Sequence, residues 1–126
     1  MASASKHGIT TSQVAGSNFS YQHLSFDRFL NDMATLERQH VELWGIAPHL
    51  HIPQLAADDL ARVKRKLRER ELSVVCLTPE QVMYPVNLAS PVDWLRESSI
   101  ALFRRAVEVC VELESPLLFL TAGRGF

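Results

Sequence analysis

Acidic, aromatic and imidazole side chains that could carry chemistry gather at the ends of apolar segments in this sequence. Glu42 lies between Val41 and Leu43. A carboxylate buried in a strand is costly unless paired, so Glu42 either serves a site or forms a salt bridge to a neighbouring layer. Trp44 either lines a pocket or packs under the following loop. His49-Leu-His51 places two imidazoles on one side of an extended segment, because side chains alternate there. Imidazole ligates divalent metals, but two histidines alone make an incomplete site, and loop histidines with polar partners are the plainer reading. His23 reads as a surface loop residue. Thr78 and Glu80 flank Pro79 at the end of a second apolar run. Glu80 either hydrogen-bonds hydroxyls of a ligand or caps nearby backbone amides, and Thr78 could equally satisfy a backbone group. Arg124 either contacts a phosphate or carboxylate or belongs to a frayed terminus.

Hydrophobic spacing sets out the elements that must position these groups. Phe26, Phe29, Leu30, Met33 and Leu36 recur at helical spacing within 25–38, with Ser25 as N-cap and Asp27 in the first turn. Residues 40–45 follow as a short strand ended by glycine, and Pro48 and Pro53 make 46–55 an extended loop. A second helix over 56–71 buries Leu60, Val63 and Leu67. Arg62, Lys64, Arg65, Lys66, Arg68 and Arg70 crowd the rest of it, and Asp58 and Arg62 make a favourable pair. Residues 72–78 are apolar almost throughout, as a strand covered on both faces of a parallel sheet is. After a loop over 79–89, Ser90, Pro91 and Asp93 supply an N-cap, a proline at the first helical position and a first-turn acid. The third helix then runs to about Glu114, burying Leu95, Leu102, Phe103, Ala106, Val107 and Cys110. Residues 116–122 form another apolar strand. Upstream, 8–15 is the expected first strand, with a loop through 18–23.

The resulting β-α-β-α-β-α-β order gives parallel strands joined by right-handed crossovers. A doubly wound sheet and a barrel both fit. No Gly-x-Gly-x-x-Gly turn or Walker-type loop follows a strand, so nucleotide-binding doubly wound folds lose support. The chain of 126 residues holds one domain or part of one. Its 47% hydrophobic and 21% charged content is that of a globular protein, and a net charge of -1 gives no general pull toward nucleic acid or anionic lipid. The basic run 63–70 lacks interleaved aromatics and reads as a solvated helix face. No apolar run is long enough to cross a bilayer, and the first eight residues lack the apolar core of a secretory signal. A flexible N-terminus over 1–8, a cytoplasmic location, and no membrane or nucleic-acid partner are therefore expected. Cys76 and Cys110 read as buried small hydrophobes.

The last strand has no helix after it, although a parallel strand wants both faces covered. A complete barrel of eight strands takes roughly 250 residues. The expectation is an α/β fold: the N-terminal half of a (β/α)8 barrel, with about four parallel strands and three intervening helices. It would be one partial domain over 9–126, truncated after its fourth strand. A complete small α/β domain is the alternative. Open sheet edges would favour self-association or pairing with a C-terminal half.

Four stretches carry a resemblance: Tyr21-Gln-His-Leu-Ser-Phe-Asp-Arg-Phe-Leu30, Val41-Glu-Leu-Trp-Gly45 with Pro48-His49, Val75-Cys-Leu-Thr-Pro-Glu80, and Leu120-Thr-Ala-Gly123. Together they resemble the xylose-isomerase-like TIM-barrel proteins, and among these the ketose 3-epimerases of the fructoselysine 3-epimerase type. The resemblance implies a divalent metal (manganese, magnesium or cobalt) in a full-length member, with two glutamates moving a proton at the carbon next to a ketose carbonyl. It places those glutamates and the metal ligands in the second half of the barrel, so no catalytic residue and no metal ligand carries over to this chain. What carries over is pocket wall at the C-terminal ends of the strands: Glu42, Trp44, His49, Thr78, Glu80 and Arg124 as candidate contacts to a small-molecule sugar. Two other readings stand beside it. One is a non-catalytic half-barrel interaction protein. The other is a fragment of an endonuclease IV-like metal phosphodiesterase, in which His49 would ligate metal.

Overall fold

A computed structural model describes residues 8–123. Three parallel strands lie in the order β1-β2-β3: β1 (Gly16–Ser17), β2 (His40–Gly45) and β3 (Ser73–Pro79). Three helices alternate with them, α1 (Phe26–Thr35), α2 (Ala57–Glu69) and α3 (Asp93–Glu112). The α/β order with parallel strands is the one that the hydrophobic pattern predicts. The expected flexible N-terminus, Gly8 apart, lies outside the described residues.

The first strand is displaced from its expected place. Residues 8–15 hold a short 3-10 turn, Thr11–Gln13, closed by the Thr10 amide donating to Gln13 Oε1 at 2.8 Å. Ile9 and Val14 are exposed there, so nothing apolar drives pairing. Pairing begins instead at Gly16, where the absence of a side chain lets α1 close on the sheet. A Cβ on Gly16 would stand 2.0 Å from Met33 Sδ. At the other edge, 116–122 is reduced to a single parallel bridge, Leu77 to Leu118. The Leu77 amide donates to Leu117 O at 3.0 Å and the Phe119 amide to Leu77 O at 2.9 Å.

Strand alternation divides the side chains between two faces. Val41 and Leu43 of β2 and Val74 and Leu77 of β3 pack in one core with Phe29, Leu30 and Met33 of α1, Leu60, Val63 and Leu67 of α2, and Ala106, Val109 and Cys110 of α3. Each large side chain buried there contributes roughly 1.5–3 kcal/mol. The register shifts between Val41 and Glu42, so that Val41 pairs with Val74 but Glu42 with Cys76. This bulge puts Cys76 and Thr78, not Val75 and Leu77, beside Glu42 and Trp44 on the face away from the helices. Cys76 is therefore half-buried on that open face, whereas Cys110 is buried as expected.

The helices depart from their expected ends. Ser25 caps α1 by accepting from the Arg28 amide at 3.1 Å. Helix α3 starts two residues later than Ser90-Pro91 suggests, with Val92 at its N-cap. Ser90 is buried and its hydroxyl accepts from the Val92 amide at 3.1 Å, forming a turn ahead of the helix. Val107 is 50% exposed and Val109 fully buried, which corrects the expected buried face of α3. Leu36 falls at the C-cap of α1 and is exposed. Arg62 pairs with Asp59 at 2.9 Å, one residue nearer along the helix than the expected Asp58. Lys64 reaches Glu112 of α3 at 3.1 Å and Lys66 reaches Asp27 of α1 at 2.6 Å, so the basic helix is laced to its neighbours.

Candidate functional site

The C-terminal ends of β2 and β3 bring Glu42, Trp44 and Thr78 together on the open face. Thr78 stands opposite Trp44 in the ladder and diagonal to Glu42. Its hydroxyl donates to Glu42 Oε1 at 2.6 Å, the short distance of a charge-assisted bond. Among the described residues Glu42 forms no salt bridge and the Thr78 hydroxyl bonds to no backbone group. Glu42 keeps lone pairs for a ligand hydroxyl, and Cys76 Sγ lies 3.8 Å from the Thr78 hydroxyl.

Trp44 is 8% exposed, and its ring packs at a tilt of 44° against that of Phe19, itself 54% exposed, with centroids 4.4 Å apart. Its backbone is gripped by a residue that the sequence did not single out. Asn18 follows β1 directly and is 1% exposed. The Trp44 amide donates to Asn18 Oδ1 at 2.6 Å, and Asn18 Nδ2 donates to Trp44 O at 3.1 Å. A side-chain amide thus continues the β1–β2 ladder by one step after the strand itself has ended. His49 is drawn into the same arrangement, 3.2 Å from Asn18 Nδ2 through Nδ1 and 2.7 Å from Leu24 O through Nε2. Both ring nitrogens are engaged in this arrangement, and neither presents a lone pair to a metal ion.

Glu80 does not join Glu42. It is 2% exposed, and its Oε1 accepts the Val82 and Met83 amides at 2.5 Å each, so it caps its own loop. Beside it, Gln81 is a second residue without a sequence signal. Its Oε1 accepts from the Thr121 amide at 2.6 Å and its Nε2 donates to Phe119 O at 3.4 Å. This side chain ties the loop after β3 to the segment beyond the Leu118 bridge. His51 turns to Gln54 at 3.3 Å and packs edge-on against Tyr84. His23 is exposed, as expected. Arg124 lies outside the described residues.

A cleft of about 410 Å³ between α1 and α2 is lined by Phe26, His49, His51, Asp59, Arg62 and Lys66 among others. Another, about 450 Å³, lies against Gln81, Tyr84, Leu95 and Thr121. Glu42, Trp44, Thr78 and Glu80 line neither; Glu42 and Thr78 stand half-buried on the open sheet face. Among the described residues no group of three or more His, Cys, Asp or Glu side chains converges to hold a metal ion. No described helix is long and apolar enough to cross a membrane. Perturbed carboxyls sit elsewhere, on α1. The Lys66 hydrogen bond holds Asp27 below its ordinary value, and the Arg28 hydrogen bond does the same for Asp32.

Parallel β-α units, with polar side chains collected at the C-terminal ends of the strands, are the local architecture of a barrel that binds ligands at that end. The family model for the xylose isomerase-like TIM barrel matches residues 30–125, and the chain belongs to that family. It is similar to the fructoselysine 3-epimerase of Shigella flexneri, 24% identical over 103 residues, which make up 82% of this chain and 37% of that protein. The fructoselysine 3-epimerase of Escherichia coli O157:H7 is likewise 24% identical, with 38% of its length covered. Among solved structures, D-psicose 3-epimerase in the presence of D-fructose superposes with a TM-score of 0.63 at 14% identity, over 83% of this chain and 36% of that one. The chain thus spans little more than a third of the length of the relatives it matches.

Proposed function

We propose that this chain forms the opening β-α units, and part of the substrate-facing wall, of an epimerase or isomerase acting on a ketose or related sugar. The observation that carries the reading is the Glu42–Thr78 pair. It stands on the open face at the C-terminal ends of adjacent parallel strands, in a chain similar over 82% of its length to fructoselysine 3-epimerases. A carboxylate that accepts and a hydroxyl that both accepts and donates suit the vicinal hydroxyls of a sugar. Phe19, exposed and backed by the buried Trp44 ring, supplies an apolar surface for the C–H face of a sugar ring. In this reading Glu80 and His49 hold loops and do not touch the sugar. The proton transfer next to the carbonyl, and the divalent metal that would polarise that carbonyl, belong to the whole protein. The donor set of the described residues does not fit such a metal, and this chain by itself is proposed to be without turnover.

The test is a titration of the chain with D-fructose followed by amide NMR, with a parallel assay for the C3 epimer. Shifts confined to Glu42, Trp44, Phe19 and Thr78, weakened in Glu42→Gln and Thr78→Val and without epimer formation, are expected. Shifts elsewhere, or none, overturn the assignment of the wall. Epimer formation abolished by a chelator overturns the proposal that the chain is inactive alone.

A second reading, a half-barrel that works by association, draws support from exposed apolar side chains. Leu117 and Phe119 flank the Leu118 bridge at 62% and 56% exposure, and Val107 and Val111 on α3 reach 50% and 71%. The phosphodiesterase reading has no such support, because it needs a ligand lone pair on His49 and both nitrogens are engaged.

A further inference from the structure

Three segments meet around one imidazole. The ring of His49, in the loop after β2, lies between Asn18 at the end of β1 and the carbonyl of Leu24 ahead of α1. Phe26 of α1 packs against it, ring centroids 5.6 Å apart. The proton positions follow from the partners. A carbonyl only accepts, so Nε2 carries the hydrogen and donates to Leu24 O at 2.7 Å. The Asn18 amide is oriented by the Trp44 N–H, which donates to Oδ1 at 2.6 Å. Its Nδ2 therefore faces His49, and Nδ1 must be the bare nitrogen that accepts at 3.2 Å. The same Nδ2 donates its other hydrogen to Trp44 O at 3.1 Å. Every polar atom of the Asn18 side chain is thus used, and each bond fixes the next. A side chain 1% exposed gains little by such a network unless the geometry it holds matters, since a single missing partner leaves a buried polar group unsatisfied.

We propose that Asn18 and His49 are positioning residues for the aromatic wall of the site. Asn18 grips both backbone groups of Trp44, and His49, locked as the Nε2–H tautomer, braces Asn18 against the β1–α1 loop, which also carries Phe19. The tilted packing of Phe19 on Trp44 is set from behind by these bonds, and the sugar would meet a preorganised surface. The inference rests on the proposed function only in calling that surface a binding wall; the bonds themselves need no sugar.

The experiment therefore contains none. Long-range nitrogen–proton NMR of the unsubstituted chain at neutral pH is expected to show His49 as a single Nε2–H tautomer, against an averaged signature for exposed His23. In a Trp94→Phe background, which leaves Trp44 as the single indole, Asn18→Leu and His49→Phe lose most of the near-ultraviolet circular dichroism of Trp44. His49→Gln retains it, because the amide oxygen accepts from Asn18 while its NH2 donates to Leu24 O. An averaged or Nδ1–H tautomer for His49 overturns the proposal, as does an unchanged Trp44 signal in Asn18→Leu or a His49→Gln signal as weak as that of His49→Phe. Should Asn18→Leu fail to fold, the tautomer of the unsubstituted chain and the Gln–Phe contrast at His49 still decide. A D-fructose titration without shifts would defeat the sugar reading and leave these bonds untouched.

Discussion

Asp27 and Asp32 stand on α1 with different partners and the same electrostatic consequence. Asp27 accepts from Lys66 of α2 at 2.6 Å and from Arg70 at 3.4 Å, which crosslinks the two helices. Asp32 accepts from Arg28 Nε at 2.9 Å and from the Tyr21 hydroxyl at 3.1 Å. Each carboxyl is held below the ordinary 3.8, by the Lys66 hydrogen bond for Asp27 and the Arg28 hydrogen bond for Asp32. On acidification the unfolded chain takes up its protons first. The stabilisation is therefore complete above about pH 5 and is lost as the pH falls through the folded values. Urea midpoints measured from pH 6 down to pH 2 should fall along this course, and Asp27→Asn should flatten the fall. An Asp27→Asn curve parallel to that of the unsubstituted chain would show that the α1–α2 crosslink carries no stability. Both pairs are half-exposed, so the effect is small beside the core.

The helices share an ending. Glu37, Glu71 and Glu114 each take up a positive φ of 54° just past α1, α2 and α3. In each case the residue after that glutamate donates back across the last turn: Arg38 to Met33 O at 2.9 Å, Leu72 to Leu67 O at 3.0 Å and Ser115 to Cys110 O at 3.0 Å. This is the Schellman arrangement, usually built on glycine. It turns the chain from a helix in the outer layer toward the next strand, so the repeat of the fold is visible in its corners. A left-handed non-glycine residue costs about 1–2 kcal/mol, against roughly 0.5–1 kcal/mol for the flexibility of glycine. Glu71→Gly is therefore expected to stabilise the chain by about 0.5–1 kcal/mol in urea unfolding. A loss of stability would mean that the Glu71 side chain makes up for its backbone.

At the scale of the whole chain, the two faces of the sheet are unequal. The helix side is a closed core with Phe29, Leu30, Leu43 and Leu77 at 0% exposure. On the other side Leu117 and Phe119, and along α3 Val107 and Val111, are left open, and exposed apolar side chains of this size favour association. Light scattering across a concentration series should show the purified chain associating, and Phe119→Lys together with Val111→Lys should shift it toward monomer. A discrete dimer supports the half-barrel that pairs with itself. Broad, open-ended association is what an uncovered sheet does without a specific partner. A monomer at every concentration removes the association reading.

Local patterning determined much of this protein without tertiary help. The period of the apolar residues marks α1, α2 and α3, the apolar runs mark β2 and β3, and Ser25 announces its helix, because each signal lies within one turn or one strand of its residue. Family membership too was legible in Val41-Glu-Leu-Trp-Gly45 and Val75-Cys-Leu-Thr-Pro-Glu80. Tertiary structure decided what those patterns leave open. The bulge opposite Val41 and Glu42 chose Thr78 as partner to Glu42, and a slip of one residue would have turned Thr78 to the helices. Glu80 turned inward on its own loop and His49 became a brace, because hydrogen bonds form between groups close in space whatever their distance along the chain. Asn18, an ordinary loop asparagine in one dimension, meets Trp44 and His49 only once β1 lies beside β2.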